Sequence, residues 1–108
     1  MLVLFDQGTP VPIRRFLLGH TARTAAQKHR ATLKNGELLT VAEAAGFEVL
    51  LTTDKNMRYQ QNLVGRKMAI VVIGHQQWPA LQPHIDPVVA AVNAAAPGSY
   101  IEVEIPDN

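Results

Sequence analysis

Residues 68–73 read Met-Ala-Ile-Val-Val-Ile and end at Gly74, and this apolar run decides how the rest of the chain is interpreted. A short, uninterrupted apolar run closed by a glycine is typical of a strand that is buried on both faces of a sheet. Two further runs, Leu2–Phe5 and residues 48–53 with their apolar centre Val-Leu-Leu, are each followed by an aspartate. The three runs predict the centre of a largely parallel sheet that is covered on both sides.

Helical patterns alternate with these runs. The segment 12–18 opens with a proline, which the first turn of a helix tolerates, and predicts a short helix. Residues 36–45 place leucine and alanine at helical spacing, with Asn35 as the N-cap and Gly46 as the stop. A long helix is predicted over residues 79–95, where prolines restrict the first turns.

Weaker patterns complete the prediction. Residues 20–25 alternate weakly and predict a second strand, and residues 100–105 predict an edge strand whose outward glutamates oppose edge pairing. The segment 27–34 is predicted to be a loop or ragged helical turn, and residues 57–63 a brief helix. Strands that alternate with helices imply right-handed crossovers. The sequence therefore predicts one α/β domain over residues 1–108, with three layers and a mostly parallel sheet of about five strands.

Composition restricts the class of protein. A chain of 108 residues suits one hydrophobic core, and its lack of cysteine excludes disulfides, thiolate metal sites and cysteine catalysis. No apolar run approaches the roughly 20 residues that span a bilayer, and the N-terminus lacks the basic start of a signal peptide. We therefore expect a soluble, cytoplasmic protein that does not interact with membranes.

Charge is unevenly distributed along the chain. All ten Lys and Arg residues lie in residues 1–67 together with five of the nine acids, which gives this part a charge of +5 and residues 68–108 a charge of −4. Such polarity is compatible with binding a polyanion through one face, although solvated charges on helix surfaces are the more common explanation.

Acidic residues follow two of the predicted strands. Asp6 follows the first strand and Asp54 the third, and ligands of open α/β sheets gather beyond these carboxyl ends. Glu37 lies in the first turn of a helix that begins at the same edge. Three carboxylates at one edge suit Mg²⁺ or Mn²⁺. Thr52 and Thr53 are expected to hydrogen-bond the carboxylates or to cap the segment after Asp54.

Each acid also has a purely structural interpretation. Asp6 could bind only the amides of its turn, Asp54 could only cap a helix, and Glu37 would interact favourably with a helix dipole. The histidines lack metal-ligand spacing and are expected to be surface or loop residues: His20, His29, His75 and His84.

Two stretches resemble the short PIN-like proteins. Residues 2–10 (LVLFDQGTP) are similar to the family's "(I/L)LLDENLP" opening, and residues 36–39 followed by 44–56 are similar to its "D-E-x-I-L … V-L-V-T-x-D-x-D-F" block. The order and spacing agree over residues 1–75. The resemblance departs from the family pattern at Gln7 and Asn56, where the family usually has acids.

The resemblance implies a PIN-type fold and a Mg²⁺- or Mn²⁺-dependent ribonuclease, in some relatives the toxin of a toxin–antitoxin pair. It makes Asp6, Glu37 and Asp54 the metal-binding and catalytic acids, and Gln7, Thr53 and Asn56 supporting residues. The RNA phosphate would contact one or more of four basic residues: Lys55, Arg14, Arg15 and Arg58. Small PIN-like domains commonly dimerise, and the apolar last helix could supply a homodimer interface.

Two other interpretations remain open. The chain could be a catalytically degenerate PIN-like module that binds RNA or a protein partner, which the substitutions Gln7 and Asn56 favour. It could also be a phospho-acceptor receiver domain, because Asp54 ends the third strand. That class requires an acidic pair after the first strand and a lysine after the last, whereas here the pair is Asp6-Gln7 and no lysine follows Lys67.

Overall fold

The computed structural model describes residues 1–24, 35–55 and 66–106. Its strands are β1 (Leu2–Phe5), β2 (Thr21–Thr24), β3 (Val49–Thr52), β4 (Ala69–Ile73) and β5 (Tyr100–Val103). They form one five-stranded sheet in the order β2-β1-β3-β4-β5, and every neighbouring pair is parallel. The predicted α/β class is confirmed, and among the described strands the sheet is wholly rather than mostly parallel.

Helices cover both faces of the sheet. They are α1 (Asn35–Ala44), α2 (Trp78–Leu81) and α3 (Ile85–Asn93), with 3₁₀ helices at Val11–Phe16 and Gln82–His84. The first 3₁₀ helix, α2 and α3 pack on one face of the sheet, and α1 packs on the other. No helix in the described parts of the chain is long and apolar enough to cross a bilayer.

The apolar runs of the sequence become strands with two buried faces. Alternate residues of a strand point to opposite faces, so Leu4 belongs to the core under α1 whereas Val3 and Phe5 belong to the core on the other face. The same division separates Leu50 from Leu51. Because both faces are covered, these strands are continuously apolar instead of alternating.

Helix α1 ends as the sequence predicts, at Gly46. This glycine has a φ of +91°, a conformation that side-chain-bearing residues rarely adopt. Its N–H donates to the carbonyl of Glu43, and the N–H of Phe47 donates to that of Ala42, which is the pattern of a Schellman motif. The chain then enters β3, so α1 runs from the carboxyl edge of the sheet back to its amino edge.

The prediction of one long helix over residues 79–95 is wrong. The segment is divided into α2, the 3₁₀ helix Gln82–His84 and α3, because Pro83 has no N–H to donate and its ring opposes a continuous α-helix. Where a helix was predicted over residues 12–18, the structure has the tighter 3₁₀ helix Val11–Phe16, in which Pro12 is the second residue. The predicted loop 27–34 and helix 57–63 lie outside the described residues.

The strand order creates a switch point between β1 and β3. The chain leaves β1 for β2 on one side and later returns to place β3 on the other side. Crossovers on the two sides of such a point diverge, and they leave a crevice beyond the carboxyl ends of the two strands. Phe5 is paired with Leu51 in the register, so the residues that follow them, Asp6 and Thr52, lie at this crevice.

Candidate functional site

The loop after β1 is held against the end of β3. The carbonyl of Leu51 accepts hydrogen bonds from the N–H of Asp6 at 2.9 Å and from the hydroxyl of the buried Thr9 at 3.0 Å. The N–H of Thr9 donates to the carbonyl of Asp6 at 3.0 Å and closes a turn, in which Gly8 has a φ of +90°. These contacts fix the position of the Asp6 backbone beside β3.

The carboxylate of Asp6 is oriented by two donors. Its Oδ1 accepts the N–H of Gln7 at 2.9 Å, and its Oδ2 accepts the hydroxyl of Thr52 at 2.9 Å. The Thr52 hydroxyl oxygen in turn accepts the N–H of Asp54 at 3.1 Å. Thr52 is only 1% exposed, whereas Asp6 and Asp54 are half-buried, so the two hydrogen bonds of this link are partly buried. The expected bond from Thr52 to a carboxylate is confirmed.

A cleft of about 570 Å³ opens at the carboxyl ends of β1, β3 and β4. Residues 7–8, 53–55 and 74–76 line it, so Gln7, Thr53, Asp54 and Lys55 of the predicted site face one space. Asp6 does not itself line the cleft, but its neighbour Gln7 does, and the Thr52 hydroxyl links the Asp6 carboxylate to the backbone N–H of Asp54. The structure therefore brings Asp6 and Asp54 to the same crevice, as the strand ends predict.

Glu37 is less closely associated with this crevice. It lies in the first turn of α1, at the carboxyl edge of the sheet, with an exposed side chain. Among residues 1–24, 35–55 and 66–106, no group of three or more His, Asp or Glu side chains is close enough to hold a metal ion. The three-carboxylate site thus stays a prediction, and the pair Asp6 and Asp54 is what the strand ends bring together.

The predicted phosphate-binding residues are widely separated. Lys55 lines the cleft, whereas Arg14 and Arg15 lie exposed on the first 3₁₀ helix and do not line it. Arg58 and the supporting residue Asn56 lie outside the described residues.

Another basic residue, Arg66, forms a salt bridge with Glu43 at the amino edge of the sheet. It donates to the Glu43 carboxylate at 2.6 Å, and the N–H of Lys67 donates to the same carboxylate at 2.8 Å. The hydrogen bond from Arg66 is the main reason that the pKa of Glu43 lies below its usual value.

His75 and Thr9 are the site residues that sequence reasoning missed. His75 follows the glycine that closes β4 and lines the cleft, although the sequence suggested only a surface or loop position. The rule that selected Asp6 and Asp54, an ionisable residue within two positions of the end of a buried strand, also selects His75. Thr9 had a weaker signal, namely a hydroxyl three residues after an aspartate in a turn sequence.

A second groove of about 330 Å³ adjoins the cleft, with Lys55 and Gly74 lining both. Its far side is the end of β5, where Glu102 and Glu104 add negative charge. The strand order is one that receiver-like doubly wound folds also use, but the residue after β5 is Glu104 and the chain contains no lysine beyond Lys67. The lysine that a receiver domain requires is therefore missing.

Comparisons of the chain with protein-family models, with curated proteins and with solved structures give no significant match. Fold and site together define an all-parallel α/β domain with two linked aspartates at its switch point. The resemblance to short PIN-like proteins stays a prediction beside this geometry.

Proposed function

We propose that this chain is a metal-dependent ribonuclease of PIN-like type whose centre is the pair Asp6 and Asp54. One observation carries the proposal: the two aspartates follow adjacent parallel strands at the switch point and are joined through the Thr52 hydroxyl. Asp54 also lines the cleft at the carboxyl ends of β1, β3 and β4. On the resemblance alone, we extend the proposal to a cytoplasmic toxin that an antitoxin-like partner would inhibit.

The donor set fits Mg²⁺ or Mn²⁺. Mg²⁺ is commonly held by one or two carboxylates together with water and substrate phosphate, so Asp6 and Asp54 would suffice as protein ligands. Glu37 stays a predicted third acid whose contribution is open to test. When bound, the ion would lower the pKa of a coordinated water and offset charge on the phosphodiester.

The chain's own residues have separate tasks in this proposal. The donors Gln7 N–H and Thr52 hydroxyl orient the Asp6 carboxylate, as outer hydrogen bonds orient metal ligands in general. Lys55 lines the cleft next to Asp54 and would contact the RNA phosphate. Arg14 and Arg15, which do not line the cleft, remain predicted contacts for RNA. Arg58 also remains a predicted contact and lies outside the described residues.

A second candidate function is a non-catalytic module that binds RNA or a protein partner through the same cleft. Gln7 lines the cleft where the PIN-like pattern has an acid, and both oxygens of Asp6 already accept hydrogen bonds within the protein. These observations are the specific support for a degenerate site.

Calorimetric titration with Mn²⁺ separates the two candidates. We expect wild type to bind the ion, and Asp6→Asn and Asp54→Asn each to bind at least about tenfold more weakly, since each removes a charged ligand. Glu48→Gln is the matched control, because it removes an exposed carboxylate at the amino edge of the sheet. RNA cleavage that needs the ion and both aspartates would support the nuclease; a folded wild type that binds no ion would leave the binding module.

A further inference from the structure

We propose that Phe16 and Trp78 form an aromatic platform beside the cleft, on which a base of single-stranded RNA stacks. Arg14 and Arg15, on the same 3₁₀ helix as Phe16, contact the flanking phosphates. This surface rests on the proposed function for the kind of ligand, but it involves neither the metal ion nor the two aspartates.

The aromatic platform is a contact between two rings at the surface. The ring centroids of Phe16 and Trp78 lie 5.8 Å apart, and the ring planes are tilted by 39°. Trp78 is half-buried against the core beneath the first 3₁₀ helix, whereas Phe16 is 36% exposed. Proteins stack the unpaired bases of single-stranded RNA on aromatic side chains that are held in place and accessible. The pair has this form, because the partly buried ring supports the exposed one.

Exposed apolar side chains are concentrated in the segment that carries Phe16. Four large hydrophobic residues are exposed in the described parts of the chain, and three of them, Val11, Phe16 and Leu18, lie within residues 11–18. The fourth, Val41, belongs to α1, which packs on the other face of the sheet. Single exposed apolar residues are ordinary, whereas their concentration on one surface marks an interaction site. This segment is therefore a surface that a ligand would cover.

The same segment is basic, which selects the kind of ligand. Arg14 and Arg15 are both exposed, and residues 10–20 contain no acid. Within residues 1–24, 35–55 and 66–106, neither guanidinium has a hydrogen bond or an ion pair. The helices on this face contain one acid, Asp86 of α3, so their net charge stays positive. Unpaired arginines next to an exposed aromatic ring match a nucleic acid strand, which offers phosphates and bases in alternation.

Both rings of the aromatic platform belong to elements that continue from loops of the cleft. Gly8 lines the cleft, and the first 3₁₀ helix begins three residues later at Val11. Gln76 lines it too, and Trp78 begins α2 two residues later. Two residues of extended chain span at most about 7 Å, so Trp78 lies near the border of the cleft. An RNA strand bound in the cleft would therefore continue onto the aromatic platform, which favours RNA over a protein partner as the ligand.

Two probes of equal charge separate stacking from phosphate contacts. They are a short fluorescein-labelled oligoadenosine and an abasic oligomer of the same length, measured by fluorescence anisotropy in EDTA at low salt. Phe16→Leu removes the ring but keeps an apolar side chain, and Phe16→Met is a second such variant. Leu18→Ser is the matched control, because it removes an exposed apolar side chain from the same segment without altering a ring. Urea denaturation first establishes that each variant is folded.

We expect wild type to bind oligoadenosine more tightly than the abasic oligomer. Phe16→Leu and Phe16→Met should bind oligoadenosine about tenfold more weakly, the usual loss for one base stacked on an aromatic side chain. Their affinity for the abasic oligomer should equal that of wild type, since no base is present to stack. Phe16→Tyr keeps a ring and should bind both probes like wild type, and Leu18→Ser should remain within about threefold.

The arginines are tested by the salt dependence of the same binding. Arg14→Gln and Arg15→Gln should each weaken the binding of both probes and reduce the slope of log K against log salt by about 0.7, the value for one phosphate of a single strand. Arg23→Gln is the matched control. Ala22 packs in the core beneath the first 3₁₀ helix, so the exposed Arg23 that follows it in β2 points to the other face of the sheet. Arg23→Gln should leave the slope unchanged.

Four results would overturn the proposal. They are equal binding of the two probes by wild type, failure of wild type to bind either probe, loss of both probes alike in the Phe16 variants, and a loss in Leu18→Ser as large as in Phe16→Leu. The last result would mean that aliphatic contact holds the ligand, as at a protein interface. An unchanged salt slope in both Arg14→Gln and Arg15→Gln would overturn the phosphate contacts.

These outcomes are independent of the metal site. A wild type that binds no Mn²⁺ but shows the expected pattern in EDTA would reject the nuclease and keep the aromatic platform. Normal Mn²⁺ binding in wild type and in Phe16→Leu, without any preference for oligoadenosine over the abasic oligomer, would do the reverse.

Discussion

The hydroxyl of Thr52 donates a hydrogen bond to Oδ2 of Asp6 at 2.9 Å. The same oxygen accepts the N–H of Asp54, so one nearly buried hydroxyl connects the acids that end two neighbouring strands. The hydroxyl thereby orients the Asp6 carboxylate and holds the backbone of Asp54. Thr52, the last residue of β3, thus couples the fold to the candidate site.

Thr52→Val should weaken both the fold and the metal site. The substitution keeps the volume but removes a donor from Asp6 and an acceptor from Asp54, so we expect the free energy of unfolding to fall by about 1–3 kcal/mol. Mn²⁺ affinity should fall about tenfold, as it does when outer hydrogen bonds to metal ligands are lost. Urea denaturation and calorimetry measure the two effects. Thr52→Ser keeps the hydroxyl and is the control; equal behaviour of Val and Ser would contradict the coupling.

Gly74→Ala should destabilise the junction between β4 and β5. The added Cβ would meet the carbonyl oxygen of Val103 at 3.1 Å and the nitrogen of Ile105 at 3.2 Å. Both atoms belong to the backbone and cannot rotate away, so the strand ends must separate, at a cost of about 1–3 kcal/mol in the free energy of unfolding. Urea denaturation measures this cost, and a variant as stable as wild type would show that the junction yields easily.

Glu43→Gln should reduce stability at neutral pH and matter less in acid. Arg66 and the N–H of Lys67 bind the Glu43 carboxylate and lower its pKa below the ordinary value of 4.5. A lowered pKa in the folded state means that the stabilisation is complete above pH 4.5 and disappears as the pH falls through the lower, folded-state pKa. Because the pair is partly exposed, we expect about 1 kcal/mol or less at pH 7.

Urea denaturation of wild type and Glu43→Gln at neutral and acidic pH measures this difference. Glu48→Gln removes the same charge elsewhere on the amino edge and is the control. A difference between wild type and Glu43→Gln that grows in acid would contradict the assignment, because the sign of the pKa shift allows only a decrease.

The sheet could be predicted from the sequence because its strands are buried on both faces. Runs such as Leu2–Phe5 and residues 68–73 contain no polar residue, and the first ionisable residue beyond each strand marks the edge where ligands gather. That rule alone places Asp6 and Asp54 at one crevice. Helix length was harder to predict, since the sequence pattern over residues 79–95 did not reveal that Pro83 would divide the helix.

The contacts that join the site could not be predicted with the same certainty. Whether Thr52 or Thr53 binds Asp6 depends on register, because neighbouring residues of a strand point to opposite faces. His75 appears isolated in the sequence, and only the position of β4 beside β3 brings it to the cleft that Asp54 lines. Distances between strands distant in sequence decide such contacts, and no local pattern records them.

Glu37→Gln is expected to have the smallest effect of the three acid substitutions on metal binding. The Glu37 side chain is exposed in the first turn of α1, where solvent and salt screen its charge. We therefore expect Mn²⁺ affinity to fall less than about threefold, compared with about tenfold or more for Asp6→Asn, while stability falls by about 0.3–1 kcal/mol through the helix dipole. Parallel calorimetry and urea denaturation measure both. If Glu37→Gln lost as much affinity as Asp6→Asn, the prediction of a small effect would be wrong. Glu37 would then have to bind the ion directly from the first turn of α1, as in the three-carboxylate site that the sequence predicts.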